Sequence, residues 1–178
     1  MKPIFLIGYM CAGKTTLGRA LAQAADITYI DLDDYVTSSA GMSVTEIFAT
    51  YGEEHFRRLE SEALVKVAGL ENVVIGCGGG TPLRSSNMEL MNRRGRTVHL
   101  IADNERLLTR LLEGRHKRPL IADLDDKQIH ERMLRGLAER RHFYALAAET
   151  FDSTFLENES EIARTVDKFI NTFNLPRR

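Results

Sequence analysis

Phe5-Leu-Ile-Gly8-Tyr-Met-Cys-Ala-Gly13-Lys14-Thr15-Thr16 is the stretch whose reading decides the fold. It contains G-x-x-x-x-G-K-[ST], preceded by a β-rich run from Pro3 to Ile7 and followed by a helical pattern with Leu17, Ala20, Leu21 and Ala24. Strand, glycine-rich loop and helix in that order form an anion cradle. The glycines let successive backbone N–H groups curl around phosphates, and the helix start adds its positive dipole end. Gly8, Cys11, Ala12, Gly13, Lys14, Thr15 and Thr16 are therefore the predicted nucleotide contacts. Lys14 is placed to bridge the β- and γ-phosphates, and the Thr15 hydroxyl to ligate Mg²⁺. The expected ligand is a nucleoside triphosphate. Cys11, inside the loop and near a helix start, is expected to have a lowered thiol pKa.

Outward from this loop, short apolar runs alternate with helical stretches. Ile27 to Leu32, Val73 to Ile75 and Thr97 to Ala102 read as further strands, with a weak one near Thr154-Phe155. Helices are expected over Glu53 to Val67, around Asn87 to Asn92 and Glu105 to Leu112, from about Asp126 to Ala148, and over Ile162 to Phe173. Ser43-Val-Thr-Glu46 is a capping-box signature. The alternation predicts an α/β fold, a parallel sheet covered by helices on both faces. No repeat or Pro/Ser-rich linker divides the chain, so residues 1–178 read as one domain. Two stretches read as insertions on it, 34–69 and the polar, aperiodic 114–126, the second as a lid.

Composition bounds the function. Of 178 residues, 24 are Lys or Arg and 25 are Asp or Glu, a formal net charge of −1 that argues against a generally basic nucleic-acid binder. No apolar run approaches the roughly 20 residues needed to span a bilayer. Two cysteines, Cys11 and Cys77, cannot build a disulfide framework, which favours a reducing, cytoplasmic setting.

Four further clusters carry chemistry. Asp31-Leu-Asp33-Asp34 closes the second strand, where α/β folds place ligands. Strand alternation puts Asp31 and Asp33 on one face, with Asp34 starting the next helix. An acid beside bound nucleotide either holds Mg²⁺ or receives a hydroxyl proton. In Glu53-Glu-His-Phe-Arg57-Arg58-Leu-Glu60, Arg57 pairs at i,i+3 with Glu60, and Arg58 with Glu62 at i,i+4. Gly76-Cys-Gly78-Gly79-Gly80 is costly in backbone entropy and marks close approach of a ligand to main chain. Residues 106–141 hold ten Lys or Arg against six Asp or Glu, a local excess suited to anionic ligands. The five histidines show no metal-ligand spacing.

Taken in order, FLIGYMCAGKTTLGRALA, IDLDD, GEEHFRRLE, GCGGG, KRPL and LAERRHFY resemble the shikimate kinases, small P-loop enzymes, over nearly the whole chain. The resemblance implies a three-layer P-loop NTPase fold with a five-stranded parallel sheet of order 2-3-1-4-5. It also implies transfer of the ATP γ-phosphate to the 3-hydroxyl of shikimate by a cytoplasmic monomer. By matching motif, Asp33 resembles the acid that holds the substrate hydroxyl and Asp31 the acid near Mg²⁺. Arg57 looks like a ligand of the shikimate carboxylate, with Glu60 as its orienting partner. Gly79 resembles the main-chain contact to substrate, and Arg118 the lid arginine that reaches phosphate and substrate. Arg110 resembles a residue stacked on adenine. Arg140 matches a second carboxylate-binding arginine. Where the family usually reads R-x-P-x-Y, however, this chain reads Arg140-Arg-His-Phe-Tyr144, and Arg141 competes for that role. Cys11 also replaces the family's common loop glycine.

Two other readings remain at this level. A gluconate kinase on the same scaffold also phosphorylates a hydroxylated carboxylate, and a nucleotide-gated binding module would keep the loop without needing Asp33, Arg57 and Arg118 together.

Overall fold

The structure, a computed structural model, describes residues 1–118 and 121–177. Pro119 and Leu120 of the KRPL stretch lie outside the described residues. Five parallel strands, β1 (Ile4–Ile7), β2 (Thr28–Asp31), β3 (Val73–Gly76), β4 (Arg96–Ile101) and β5 (Glu149–Asp152), form one sheet in the order β2-β3-β1-β4-β5. This is the predicted order. The eight helices among the described residues are α1 (Lys14–Ala25), α2 (Leu32–Ala40), α3 (Val44–Tyr51), α4 (Glu53–Val67), α5 (Ser85–Arg94), α6 (Asn104–Glu113), α7 (Asp126–Tyr144) and α8 (Glu159–Phe173).

Central β1 is buried on both faces, so its four residues are all apolar rather than alternating. Its pleat sorts them into two cores. Phe5 and Ile7 join Val73, Ile75, Phe56, Leu64 and Met133 on one side of the sheet. Ile4 and Leu6 join Leu17, Leu21, Val74, Val98, Leu100 and Phe169 on the other. Helix α8 seals the second core with an aromatic cluster, Phe169 lying 4.8 Å from Phe151 and 4.5 Å from Phe173, centroid to centroid. Each fully buried large side chain contributes about 1.5–3 kcal/mol. Such a core holds the strand ends, and what hangs from them, in fixed positions.

The register aligns those ends. Leu6 and Asp31 both pair with Gly76 across β1-β3 and β2-β3, so the loops after β1, β2 and β3 emerge side by side. Residues 34–69 form most of α2, then α3 and α4, beside this edge. The predicted capping box is present: the Ser43 side chain accepts from Glu46 N–H while Glu46 accepts from Ser43 N–H. The described part of 114–126 contains one 3₁₀ turn, Arg115–Lys117, and packs Ile121 into the first core. Its ends are tied by Arg115 Nη2 to Asp126 Oδ1 at 2.5 Å.

Three boundaries differ from the sequence expectation. The last strand is Glu149–Asp152 rather than Thr154-Phe155; after it Ser153 N–H donates to Ile101 O and Thr154 Oγ1 accepts from Asp103 N–H, tying the following turn. Helix α7 stops at Tyr144, where Leu146 and Ala147 N–H groups turn back to Phe143 and Tyr144 carbonyls. Helix α2 starts at Leu32, capped by Asp31, whose side chain accepts from Asp33 N–H. Asp33 is therefore a first-turn helix residue, and strand alternation does not place it beside Asp31. Asp34 is not the cap.

Candidate active site

The phosphate-binding loop keeps the backbone its glycines foretell. Gly8 and Gly13 have φ of 148° and 91°, and Ala12 N–H closes the turn on Tyr9 O at 3.1 Å. Cys11 also lies at positive φ, 64°, which explains why glycine suits this position and costs a side chain about 1–2 kcal/mol. Lys14 is half-buried under the loop, its Nζ donating to Gly8 O at 2.8 Å and Tyr9 O at 2.9 Å. Burial depresses its pKa to about 8, the Asp33 carboxylate opposing that fall. The Cys11 thiol is raised, not lowered as expected. Its burial outweighs the nearby Arg118, Lys14 and Arg110 cations.

The back of the loop is pinned by groups the motif does not contain. Ser153 Oγ donates to Ala12 O at 2.7 Å, and Arg110 donates to Cys11 O at 3.2 Å and Thr154 O at 2.6 Å. Arg110 also pairs with Glu157 at 2.8 Å, so its N–H edges are committed to protein. Ser153 gave no sequence signal, being one serine after a weak strand. Arg118 lies beside Cys11 and donates to Gly114 O at 2.7 Å, which places a cation of the 114–126 stretch at the loop.

Asp31 is held by three donors. Its Oδ1 accepts from Asp33 N–H at 3.1 Å, and its Oδ2 accepts from Tyr29 Oη at 3.1 Å and Thr15 Oγ1 at 3.4 Å. Asp33 is substantially buried. Desolvation, with Glu60 and Asp31 adding repulsion, raises its pKa to about 6 despite Lys14 and Arg57. At neutral pH it is thus an ionised carboxylate with raised basicity, suited to accept a hydroxyl proton.

Glu60, fully buried, anchors the next wall. It accepts from Thr81 Oγ1 at 2.5 Å and pairs with Arg57 at 3.0 Å, while Glu53 holds the other side of Arg57 at 3.0 Å. The expected Arg57–Glu60 pair forms. Arg58 instead turns its guanidinium to His55 Nδ1 at 3.0 Å rather than to Glu62, facing away from the site.

The glycine cluster explains itself once these walls stand. A Cβ on Gly78 would sit 2.9 Å from carboxylate oxygens of both Asp33 and Glu60. On Gly80 it would sit 2.6 Å from the Arg57 guanidinium, and on Gly79 it would sit 3.2 Å from Arg140 Nη1. Three consecutive glycines thus admit four side chains, Asp33, Glu60, Arg57 and Arg140, to one stretch of main chain. Cys77, by contrast, is buried and inert, its pKa raised by desolvation.

The family model for shikimate kinase matches residues 10–171. The chain belongs to the shikimate kinase family. A shikimate kinase from Parabacteroides distasonis is 41% identical over 91% of this chain and 94% of its own. One from Phocaeicola vulgatus is 40% identical over 98% and 99%. Among solved structures, a shikimate kinase from Bacteroides thetaiotaomicron has a TM-score of 0.94 at 39% identity, covering 98% of this chain and 99% of its own. A shikimate kinase from Acinetobacter baumannii in complex with shikimate has a TM-score of 0.84 at 27% identity, covering 98% and 93%. A gluconokinase from Sinorhizobium meliloti, with a TM-score of 0.54 at 17% identity, shares the fold alone.

Arg140 and Arg141 lie in different surroundings. Arg140 lies 5.2 Å from the Tyr9 ring centroid and reaches Gly79. Arg141 lines a different cavity of about 470 Å³ with His99, Leu107 and Leu137. Tyr144, which the sequence reading passed over, is buried and donates to Gly79 O at 3.1 Å.

Among the described residues no group of three or more His, Cys, Asp or Glu is placed to hold an ion alone. Thr15 and Asp31 together offer hard oxygen donors beside the phosphate loop. That sparse oxygen set fits Mg²⁺, which keeps waters and shares substrate phosphates rather than occupying a full protein cage. No helix among the described residues is long and apolar enough to cross a membrane.

Proposed function

We propose that this shikimate kinase transfers the γ-phosphoryl group of ATP to the 3-hydroxyl of shikimate with Asp33, Lys14, Arg57, Gly79, Arg118 and Arg140 in the roles that follow. The observation that carries the reading is the convergence of Asp33, Arg57 and Arg140 on Gly78, Gly80 and Gly79 respectively. An acid beside two arginines, at the mouth of a phosphate cradle, matches a polyhydroxylated carboxylate presented to ATP.

Arg57 and Arg140 take the substrate carboxylate, guanidinium forks being matched to carboxylate oxygens. Gly79 supplies a main-chain contact. Asp33 orients the 3-hydroxyl and accepts its proton as the oxygen–phosphorus bond forms and the bond to ADP breaks. Lys14 leaves the Gly8 and Tyr9 carbonyls for the β- and γ-phosphates. Arg118 neutralises charge on the transferring group as 114–126 closes and excludes water. The loop from Gly8 through Cys11, Ala12 and Gly13 to Thr15 and Thr16 cradles the nucleotide, with adenine stacked on the plane of Arg110. When bound, Mg²⁺ supplies charge neutralisation at the β- and γ-phosphate oxygens, with Thr15 and Asp31 as its protein side. Two free thiols and the absence of a membrane-crossing helix among the described residues support a cytoplasmic enzyme, read as a monomer acting on small molecules rather than nucleic acid.

Gly80→Ala tests the convergence directly. The new Cβ meets Arg57 at 2.6 Å and pushes the guanidinium off its position. KM for shikimate is expected to rise about tenfold or more while KM for ATP stays within about twofold, a misplaced binding group being the only change. An unchanged KM for shikimate would remove Arg57 from the site.

A further inference from the structure

Arg140 is held differently from Arg57, the other arginine assigned to the substrate carboxylate. Arg57, Arg84, Arg106, Arg110 and Arg115 each pair with a carboxylate. Among the described residues Arg140 forms no such pair. Its guanidinium lies against the Tyr9 ring on one side and beside the Tyr144 hydroxyl on another. Both Arg140 Nη1 and Tyr144 Oη come within 4 Å of the point where a Gly79 Cβ would sit, at 3.2 and 3.9 Å.

The course of α7 sets this geometry. Without a proline, α7 continues unbroken through Tyr144, and residues 140 and 144 fall at i,i+4 on one helical face. The Tyr144 ring is fixed in turn by His99, at 4.7 Å centroid to centroid. Burial pushes the phenol pKa up and Arg140 pulls against it, so the hydroxyl stays a neutral donor beside a cation. A carboxylate in its place would neutralise Arg140 and compete with the substrate's own carboxylate. A phenol restrains the guanidinium and leaves its charge unspent.

We propose that Tyr144 is a positioning residue for shikimate binding, its hydroxyl fixing the Gly79 peptide and the Arg140 guanidinium together without neutralising the cation. The proposal rests on the assignment of Arg140 to the substrate carboxylate and goes beyond it by naming what holds that arginine ready. Tyr144 acts through Arg140 and Gly79 and does not touch the reacting atoms.

Tyr144→Phe removes one oxygen and keeps the ring packed on His99. The test is a double-mutant cycle on the full chain with Tyr144→Phe, Arg140→Ala and the pair, measuring kcat, both KM values and thermal unfolding. Arg140→Ala is expected to raise KM for shikimate about a hundredfold, from loss of a charged contact. Tyr144→Phe is expected to raise KM for shikimate about tenfold in the native background, with kcat and KM for ATP within about twofold, and by less than about twofold when Arg140 is already Ala. A purely structural tyrosine would lower the unfolding temperature and leave this KM-against-kcat split and its dependence on Arg140 absent. Normal shikimate binding in Arg140→Ala overturns the carboxylate assignment and the proposal with it. Lost binding in Arg140→Ala with normal binding in Tyr144→Phe, or equal Tyr144→Phe effects in both backgrounds, overturns the proposal alone. Should Tyr144→Phe fold poorly, Tyr9→Leu, which removes the other support of Arg140, is expected to show the same dependence on Arg140; additivity there overturns the account equally.

Discussion

Asp33→Asn is expected to reduce phosphoryl transfer by about 10²–10⁴-fold while leaving ATP binding largely intact, and to make the folded protein more stable at pH 7. The two effects share one cause. Burial, together with Glu60 and Asp31, raises the Asp33 pKa to about 6, from 3.8 in the open chain. Between those values the folded state binds the extra proton, so the stability carried by the neutral acid is present at low pH and lost as pH rises through about 6. At pH 7 the ionised carboxylate therefore costs on the order of 2 kcal/mol, which asparagine relieves. For a chain of this size that corresponds to a rise of roughly 5 °C in unfolding temperature. In the native enzyme, kcat/KM for shikimate should fall with decreasing pH below about 6, as the base becomes protonated. Loss of activity without a gain in stability would mean that Asp33 is better solvated than its position beside Glu60 implies. Full activity would remove it as the base.

Lys14→Met is expected to lower kcat by about 10²–10³-fold, the scale for deleting one preorganised charge-stabilising group, and to abolish the thermal shift that ATP confers. The lysine is held in place by the Gly8 and Tyr9 carbonyls at 2.8 and 2.9 Å, so its displacement onto phosphate is short. Its pKa of about 8 in the free enzyme adds a second signature. Since kcat/KM for ATP reports the free enzyme, it should decline above about pH 8 as the ammonium is lost. Retention of the ATP-induced shift in Lys14→Met would show that the backbone cradle alone carries the nucleotide.

The fold was legible because its signals are local and periodic. Glycines at Gly8 and Gly13 mark φ angles that few other residues adopt, and α4 spans Glu53–Val67 as its apolar stripe indicates. Arg57–Glu60 was readable for the same reason, both residues lying on one helix. The site was less legible wherever a side chain acts across sequence distance. Ser153 and Arg110 grip the phosphate loop from 141 and 99 residues away, and nothing near either residue announces it. Asp33 faces the site from the first turn of a helix, although the strand pattern pointed to a pleat, because Asp31 rather than Asp34 caps that helix. Cys11 misled in the other direction. A helix start lowers a thiol pKa only while the sulfur stays solvated, and here burial outweighs it. The different surroundings of Arg140 and Arg141 follow from the azimuth of α7, which depends on where that long helix packs.

The central claim is that the carboxylate-binding arginines and Asp33 select shikimate, while the fold alone would also serve gluconate. The direct measurement is ADP release by the purified enzyme with ATP and Mg²⁺, coupled to NADH oxidation, with shikimate, gluconate or no acceptor. The account predicts release that depends on shikimate, with kcat/KM at least about 10²-fold above that for gluconate and negligible turnover without acceptor. Equal or faster turnover of gluconate, or release independent of any acceptor, would contradict it.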